Sequence, residues 1–276
     1  MLTLERRKKI LQWIKQNGRA EVGELAATFG VSPMTIRRDL RHLEEEGHLL
    51  RARGGALAKD SFIDEIPYRS KVSSNIELKR LIAQEACSLI KDGDSVILDA
   101  GSTTLEIAKC LKKTGKNLTV VTNDLNIALE LADTANINVF TTGGKVQPGL
   151  YCLLGEEAIN FIKSVNVNIA FLGAAAIDSD LELYTPTLEK AHLKRTMITS
   201  AAKSVVVADH TKFGHRAFAK VCSLDSVDAL ITDDGISEEL KTKVEDLKIE
   251  VILCPAKSYV TGKGNPKSQG CLHHWR

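Results

Sequence analysis

Apolar residues recur at helical spacing in three segments of the first 47 residues. From Thr3 to Gln16, residues Leu4, Ile10, Leu11 and Ile14 share one side, and Asn17-Gly18 supplies a helix stop. A second, shorter helix is expected over "AEVGELAATFG", apolar at Val22, Leu25, Ala26 and Phe29 and again closed by glycine. The third lies in "SPMTIRRDLRHLEEEG". Ser32 suits the cap and Pro33 the first helical position. Ile36, Leu40 and Leu43 fall at i, i+4 and i+7, so one stripe faces inward. That rotation turns Met34, Arg38 and Arg41 outward, with Thr35 and Arg37 on the flanks. The segment "HLLRARGGAL" then reads as a strand, a glycine pair and a further apolar run.

The pattern changes after residue 58. Residues 59–75 have no clear period and are expected to form a linker arm. From Ile76 short β-rich runs alternate with helical segments: "ELKRLIAQEACSLI", "SVILD", "TTLEIAKCLKK", "LTVVT", "LNIALELA", "INVFT". Helical "GEEAINFIK" follows, then "NIAFLG", the helix "LEKAHLKRTMITSAA", "SVVVAD", "ALITD", "SEELKTKVEDL" and "IEVILC". Such alternation predicts a mostly parallel α/β sheet over 76–255. The last stretch, 256–276, is polar and Gly-rich and is expected to be a disordered tail. Its Cys271, His273 and His274 make a poor metal site on a chain end.

Charge sharpens the division. Residues 1–58 carry 11 Lys/Arg against 7 Asp/Glu, whereas the whole chain is only +2. A basic head on a mildly acidic body points to nucleic acid. A short helix, a tight turn and a second helix with a basic outer face make a helix-turn-helix, whose second helix enters the major groove. Candidate DNA contacts are Ser32, Met34, Thr35, Arg37, Arg38 and Arg41, with Arg51 and Arg53 on a wing. Arginine fits because its planar fork pairs with guanine edges or phosphates. Glu44, Glu45 and Glu46 sit at the far end of the helix, where they repel phosphates least.

In the body, polar clusters recur where strands end, and in open α/β sheets ligands bind outside those ends. The turn Gly101-Ser102-Thr103-Thr104 places backbone N–H groups and hydroxyls at a helix start, where an anion binds well. Lys194 or Lys212 can supply charge; Asp99, Asn123 and Asp178 can accept or orient sugar hydroxyls. Gly143, Gly144 and Asp209 lie in further strand-end clusters expected to line the same crevice. Glu189 is weighed as a general base for an isomerase, against a charged face shared with Lys190 and Lys194. There is no P-loop lysine motif, no G-x-G-x-x-G after a strand and no G-x-S-x-G elbow, so nucleotide binding and that hydrolase chemistry are disfavoured. No cofactor or metal is expected. The six cysteines are scattered without a C-x-x-C pair and read as reduced residues in or near the core. No apolar run approaches the roughly 20 residues of a membrane helix, and a cytoplasmic protein is expected.

The chain resembles the DeoR family of bacterial transcriptional regulators. The carrying stretches are "RRKKILQWI" (6–14), "ELAATFGVSPMTIRRDLRHLEEEGHLLRARGGA" (24–56), "LDAGSTT" (98–104), "TVVTND" (119–124), "TTGG" (141–144), "EKAHLKRTMI" (189–198) and "ADHTKFG" (208–214). The resemblance implies an N-terminal winged helix-turn-helix and a C-terminal α/β sensor related in fold to ribose-5-phosphate isomerase. It further implies a homo-oligomer, dimer or tetramer, that represses a sugar-catabolism operon until a phosphorylated sugar effector binds. Two alternatives stand beside this: a sugar-phosphate isomerase-like enzyme, and a DNA-binding oligomer without effector.

Overall fold

The computed structural model describes residues 2–17, 19–46, 49–52, 54–58, 65 and 68–255. Arg53, the 256–276 tail and residues 59–64, 66 and 67 of the expected arm lie outside them.

The head opens with α1 (Thr3–Asn17) and a short strand β1 (Arg19–Glu21) that hydrophobic periodicity did not reveal. Next come α2 (Val22–Phe29) and α3 (Pro33–Glu45), then the hairpin β2 (Leu49–Ala52) and β3 (Gly55–Ala58). Two of the expected caps are present, while Gly18, expected to stop α1, lies outside the described residues. Gly30 closes α2 in the left-handed region (φ 62°), and the Ser32 hydroxyl accepts from Thr35 N. β1 and β2 flank β3 in an antiparallel three-stranded sheet, and Gly55 is required there. A Cβ on Gly55 would stand 2.2 Å from Ala20 O. Ile10, Ile14, Leu25, Ile36, Leu40, Leu43 and Leu49 fill the core of this unit.

One member of that core is charged. Asp39 of α3 is fully buried and accepts from Arg6 Nε at 2.6 Å and Arg7 Nε at 3.1 Å. Two arginines of α1 thus serve packing rather than the outer face of the head.

The second half of the expected arm is helical: α4 (Tyr68–Ser73) precedes α5 (Ile76–Ser88). Tyr68 is buried in the sensor core and meets Tyr151 edge-on at 6.0 Å. Lys79 of α5 holds the exposed end of α4, donating to Lys71 O and Ser74 O. A six-residue helix anchored by Tyr68 and Val72 alone is too short to leave a periodic signal, because its fold depends on the surface beneath it.

The sensor continues as β4 (Ser95–Leu98), α6 (Ser102–Leu111), β5 (Leu118–Thr122), α7 (Leu125–Leu131) and β6 (Ile137–Thr141). A two-stranded ribbon, β7 (Lys145–Val146) and β8 (Leu153–Leu154), leads into α8 (Glu156–Lys163) and β9 (Val167–Gly173). Then come β10 (Ala176–Ile177), β11 (Glu182–Thr185), α9 (Leu188–Thr199), β12 (Ala201–Val207) and β13 (Ala219–Ser223). The described chain ends through β14 (Ala229–Asp233), α10 (Glu238–Glu245) and β15 (Glu250–Cys254).

Seven strands pair in the order β15-β14-β12-β9-β4-β5-β6, every pair parallel. Val96, Ile97 and Leu98 are all fully buried, as a parallel strand covered on both faces requires. The chain runs outward from β4 through β5 to β6, then restarts on the other side of β4 with β9. The order therefore reverses between β4 and β9, and the crevice at their carboxyl ends is where such sheets bind ligands. β10, β11 and β13 form a separate antiparallel sheet beside α9 that the sequence pattern did not disclose. Its strands join segments some forty residues apart, so no local period announces them.

Candidate functional site

At the reversal point Asp99 follows β4 directly, and its carboxylate accepts from Gly173 N at 3.0 Å, across the gap to β9. Lys194, at the middle of α9, donates to the same carboxylate and to Gly173 O at 2.8 Å. This buried ion pair clamps the ends of the two strands. The turn that follows is closed by Thr104, whose hydroxyl reaches Asp99 O at 2.6 Å and Gly101 O at 2.8 Å. Asn123, after β5, accepts from Ala100 N at 2.8 Å and fixes the other side of the loop. The first turn of α6 is thereby held with its unpaired N–H groups at the crevice.

The crevice encloses about 950 Å³, its open mouth included. It is lined by Asp99, Gly101, Ser102, Thr103, Asn123, Lys194 and Lys212, seven of the residues expected from the sequence. Thr104 stands one position deeper, closing the turn rather than lining the space. Gly143, Gly144, Asp178, Glu189 and Asp209 are not among the lining residues. Each has another place. Gly144 (φ 100°) lets β7 approach β8, since a Cβ there would lie 2.4 Å from Leu154 O, and Gly143 (φ 69°) makes the preceding turn. Asp178 binds Arg216 Nε at 2.7 Å and the N–H groups of Asp180 and Glu182, stabilising the β10–β11 turn. Those partners outweigh burial and hold its carboxyl below the usual range. Glu189 is exposed on the first turn of α9. Asp209 caps the 3₁₀ turn His210–Lys212 through Thr211 N at 3.0 Å, and its Oδ1 accepts from Asn75 Nδ2 at 3.4 Å.

Three charged lining residues were not foreseen: Glu65, Lys71 and Lys190. Lys190 was visible only as part of a charged helix face, four residues before Lys194. Glu65 and Lys71 lie in the segment read as a linker, so nothing local marked them. Glu65 Oε1 meets Lys190 Nζ at 2.5 Å and Lys71 Nζ at 3.9 Å, while Gln147 Nε2 donates to Oε2 at 3.2 Å. The crevice thus gathers Lys71, Lys190, Lys194 and Lys212 against Glu65 and Asp99, a surplus of positive charge. Burial, reinforced by Lys190, Lys212 and Lys194 and opposed by Glu65, pulls Lys71 down to about 8.

On α3, Ser32, Met34, Arg37, Arg38 and Arg41 are exposed and Thr35 is half-buried. Met34, 70% exposed, stands at the solvent end of the row. Arg51 lies on β2, opposite Ala56 of β3. Arg19 of β1 reaches the sensor, with Nη1 3.5 Å from His210 Nε2, while His210 Nδ1 pairs with Asp233 at 2.6 Å.

Residues 6–62 match the DeoR-like helix-turn-helix domain and residues 74–234 the DeoR C-terminal sensor domain. The chain belongs to the DeoR family. Its relatives include the transcriptional regulator GlpR of Haloferax volcanii, 36% identical over 91% of this chain and 98% of that protein. The glycerol-3-phosphate regulon repressor of Escherichia coli K12 is 32% identical over 92% of this chain and 100% of that protein. Among solved structures, ribose 5-phosphate isomerase A of Methanocaldococcus jannaschii aligns with 51% of this chain and 55% of its own at 21% identity, TM-score 0.38. This DeoR-family chain is a DNA-binding transcriptional regulator with a parallel α/β sensor. No helix among the described residues is long and apolar enough to cross a membrane.

Proposed function

We propose that this chain represses a sugar-catabolism operon in the cytoplasm and that a sugar phosphate in the crevice relieves repression. The observation that carries the reading is the convergence of four lysines on the first turn of α6 at the sheet reversal. With Glu65 and Asp99 charged, they leave two uncompensated positive charges, which match a phosphomonoester dianion. The name of the E. coli relative, a glycerol-3-phosphate regulon repressor, supports an effector of that class. Asp99 and Asn123 would orient hydroxyls, and Gly101, Ser102 and Thr103 would take phosphate oxygens. Turnover is disfavoured because Glu189 is exposed and is not among the residues lining the crevice. Two copies would present two α3 helices to a two-fold operator. The 208–214 segment would carry the signal, since Lys212 lines the crevice, Thr211 meets Asn75 beside α4, and His210 meets Arg19 of the head.

Operator footprinting with and without a panel of sugar phosphates, glycerol 3-phosphate included, tests the reading. One member is expected to weaken protection; identical affinity across the panel overturns the effector. In the same assay Arg38→Ala is expected to weaken operator binding roughly 5- to 150-fold, the value of about 1–3 kcal/mol for a base-edge contact. The thermal shift with the effector should be unchanged, because Arg38 is on the opposite domain.

The pH dependence follows from Lys71. The phosphate becomes a dianion above about pH 6, and Lys71 loses its proton above about 8. A dianion favours charged Lys71, so binding above pH 8 must take up a proton. Affinity should peak between these values and then fall by up to about tenfold per pH unit. Lys71→Arg should keep its affinity at pH 9.5, as titration calorimetry will measure; a flat wild-type profile contradicts the assignment.

A further inference from the structure

We propose that Glu65, carried on the segment between head and sensor, is a resident anion in the crevice that the effector's phosphate displaces. The inference rests on the reading of the crevice as a phosphate site and adds how occupancy reaches the arm.

The two carboxylates of the crevice are placed differently. Asp99 is 4% exposed at its side chain and locked between Lys194 and Gly173 N, so it is part of the frame. Glu65 is 24% exposed, and its polar partners among the described residues are groups that an incoming anion would also want. Its Oε1 lies on Lys190 Nζ at 2.5 Å and within 3.9 Å of Lys71 Nζ, while Oε2 takes the Gln147 amide at 3.2 Å. Two ammonium groups and one amide around one carboxylate resemble the donor set that holds a phosphate. A dianion outbids a monoanion for the same lysines, and the half-open position lets Glu65 move into water at low desolvation cost.

Position in the chain gives the exchange a consequence. β3 of the head ends at Ala58, and α4 of the sensor begins at Tyr68. Glu65, at its point in the chain between them, is thus held to Lys190 of α9 and to Gln147. Tyr68 remains anchored behind it, through Tyr151 and through Tyr68 N to Gly149 O at 3.2 Å. Displacing Glu65 releases that hold while Tyr68 keeps its place in the sensor. An ordering change in the segment between domains is a known way for a small ligand to alter a distant surface.

The test uses the full chain and inorganic phosphate at pH 7.5. Glu65→Gln keeps the side-chain shape but removes the charge that holds it on Lys190 and Lys71; folding is verified by the melting curve. If Glu65 is docked about nine-tenths of the time, removing its charge tightens phosphate binding about tenfold. Calorimetry reads that change. Hydrogen exchange reads displacement itself: phosphate should speed amide exchange in the wild-type peptide containing Glu65, and should leave Glu65→Gln, already fast there, unchanged. Wild-type phosphate binding with unchanged or slowed exchange at Glu65 overturns the inference and leaves the phosphate site standing. Equal or weaker phosphate affinity in Glu65→Gln overturns it likewise. Absence of phosphate binding in both proteins overturns the site and the inference together.

Discussion

Asp39→Ala is expected to abolish operator binding while the sensor stays folded and still binds its anion. Asp39 is fully buried, and Arg6, 6% exposed, loses its partner at 2.6 Å. An uncompensated buried charge costs about 3–5 kcal/mol, more than the pair itself contributes to stability. A head of this size has a total stability of roughly 3–9 kcal/mol, so the loss consumes most of it. Arg7, whose Nε is 3.1 Å from the same carboxylate, adds a second orphaned cation. Fluorescence anisotropy on operator DNA and a thermal melt resolving two transitions will measure the outcome, with only the head transition shifted down. A double change, Arg6→Met with Asp39→Leu, should restore much of the melting temperature, because well-packed apolar residues replace a buried pair at little cost. Full operator binding by Asp39→Ala would remove the buried pair from any role in the head.

Lys194→Met is the corresponding change in the sensor, and its effect is twofold. Asp99 keeps only Gly173 N, so the clamp between β4 and β9 loses its cation and stability falls by about 3–5 kcal/mol. The crevice also loses one of its four lysines, and phosphate affinity should fall by at least an order of magnitude. The pair separates the two effects. Adding Asp99→Asn to Lys194→Met removes the buried unpaired carboxylate, so stability should recover by about 1–3 kcal/mol while the donor for the anion is still missing. Melting curves with and without phosphate decide it; recovery of both properties in the double variant would reduce Lys194 to a packing role.

The candidate site was legible in part, and the division follows distance along the chain. The turn Gly101–Thr103 announced itself because strand, small residues and helix are contiguous in "SVILDAGSTTLEIAK". Asn123 and Asp99 followed from the same rule applied to neighbouring strands. Asp178 and Gly144 obeyed that rule equally well yet serve turns, because a strand-end polar residue satisfies local N–H groups as readily as a ligand. Glu65 and Lys71 were hidden for the opposite reason. They lie in a segment with no period, and their role depends on a helix of six residues laid against a finished surface.

In the head, the pattern alone established α1, α2 and α3, the caps at Gly30 and Ser32, the inward stripe and the outward arginines, since capping and 3.6-residue periodicity act within one or two turns. It established, too, the alternation that makes the sensor a parallel sheet. It was silent on Asp39, whose charge looks like surface until Arg6 and Arg7 arrive from another helix. Only the tertiary structure decided the strand order, its reversal between β4 and β9, and hence which strand ends share a crevice. It alone brought Lys71, Lys190, Lys194 and Lys212 together with Glu65 from four separate elements of the chain. Periodicity reports which face of an element is buried; the partner against which it is buried is set by long-range packing, which no local spacing encodes.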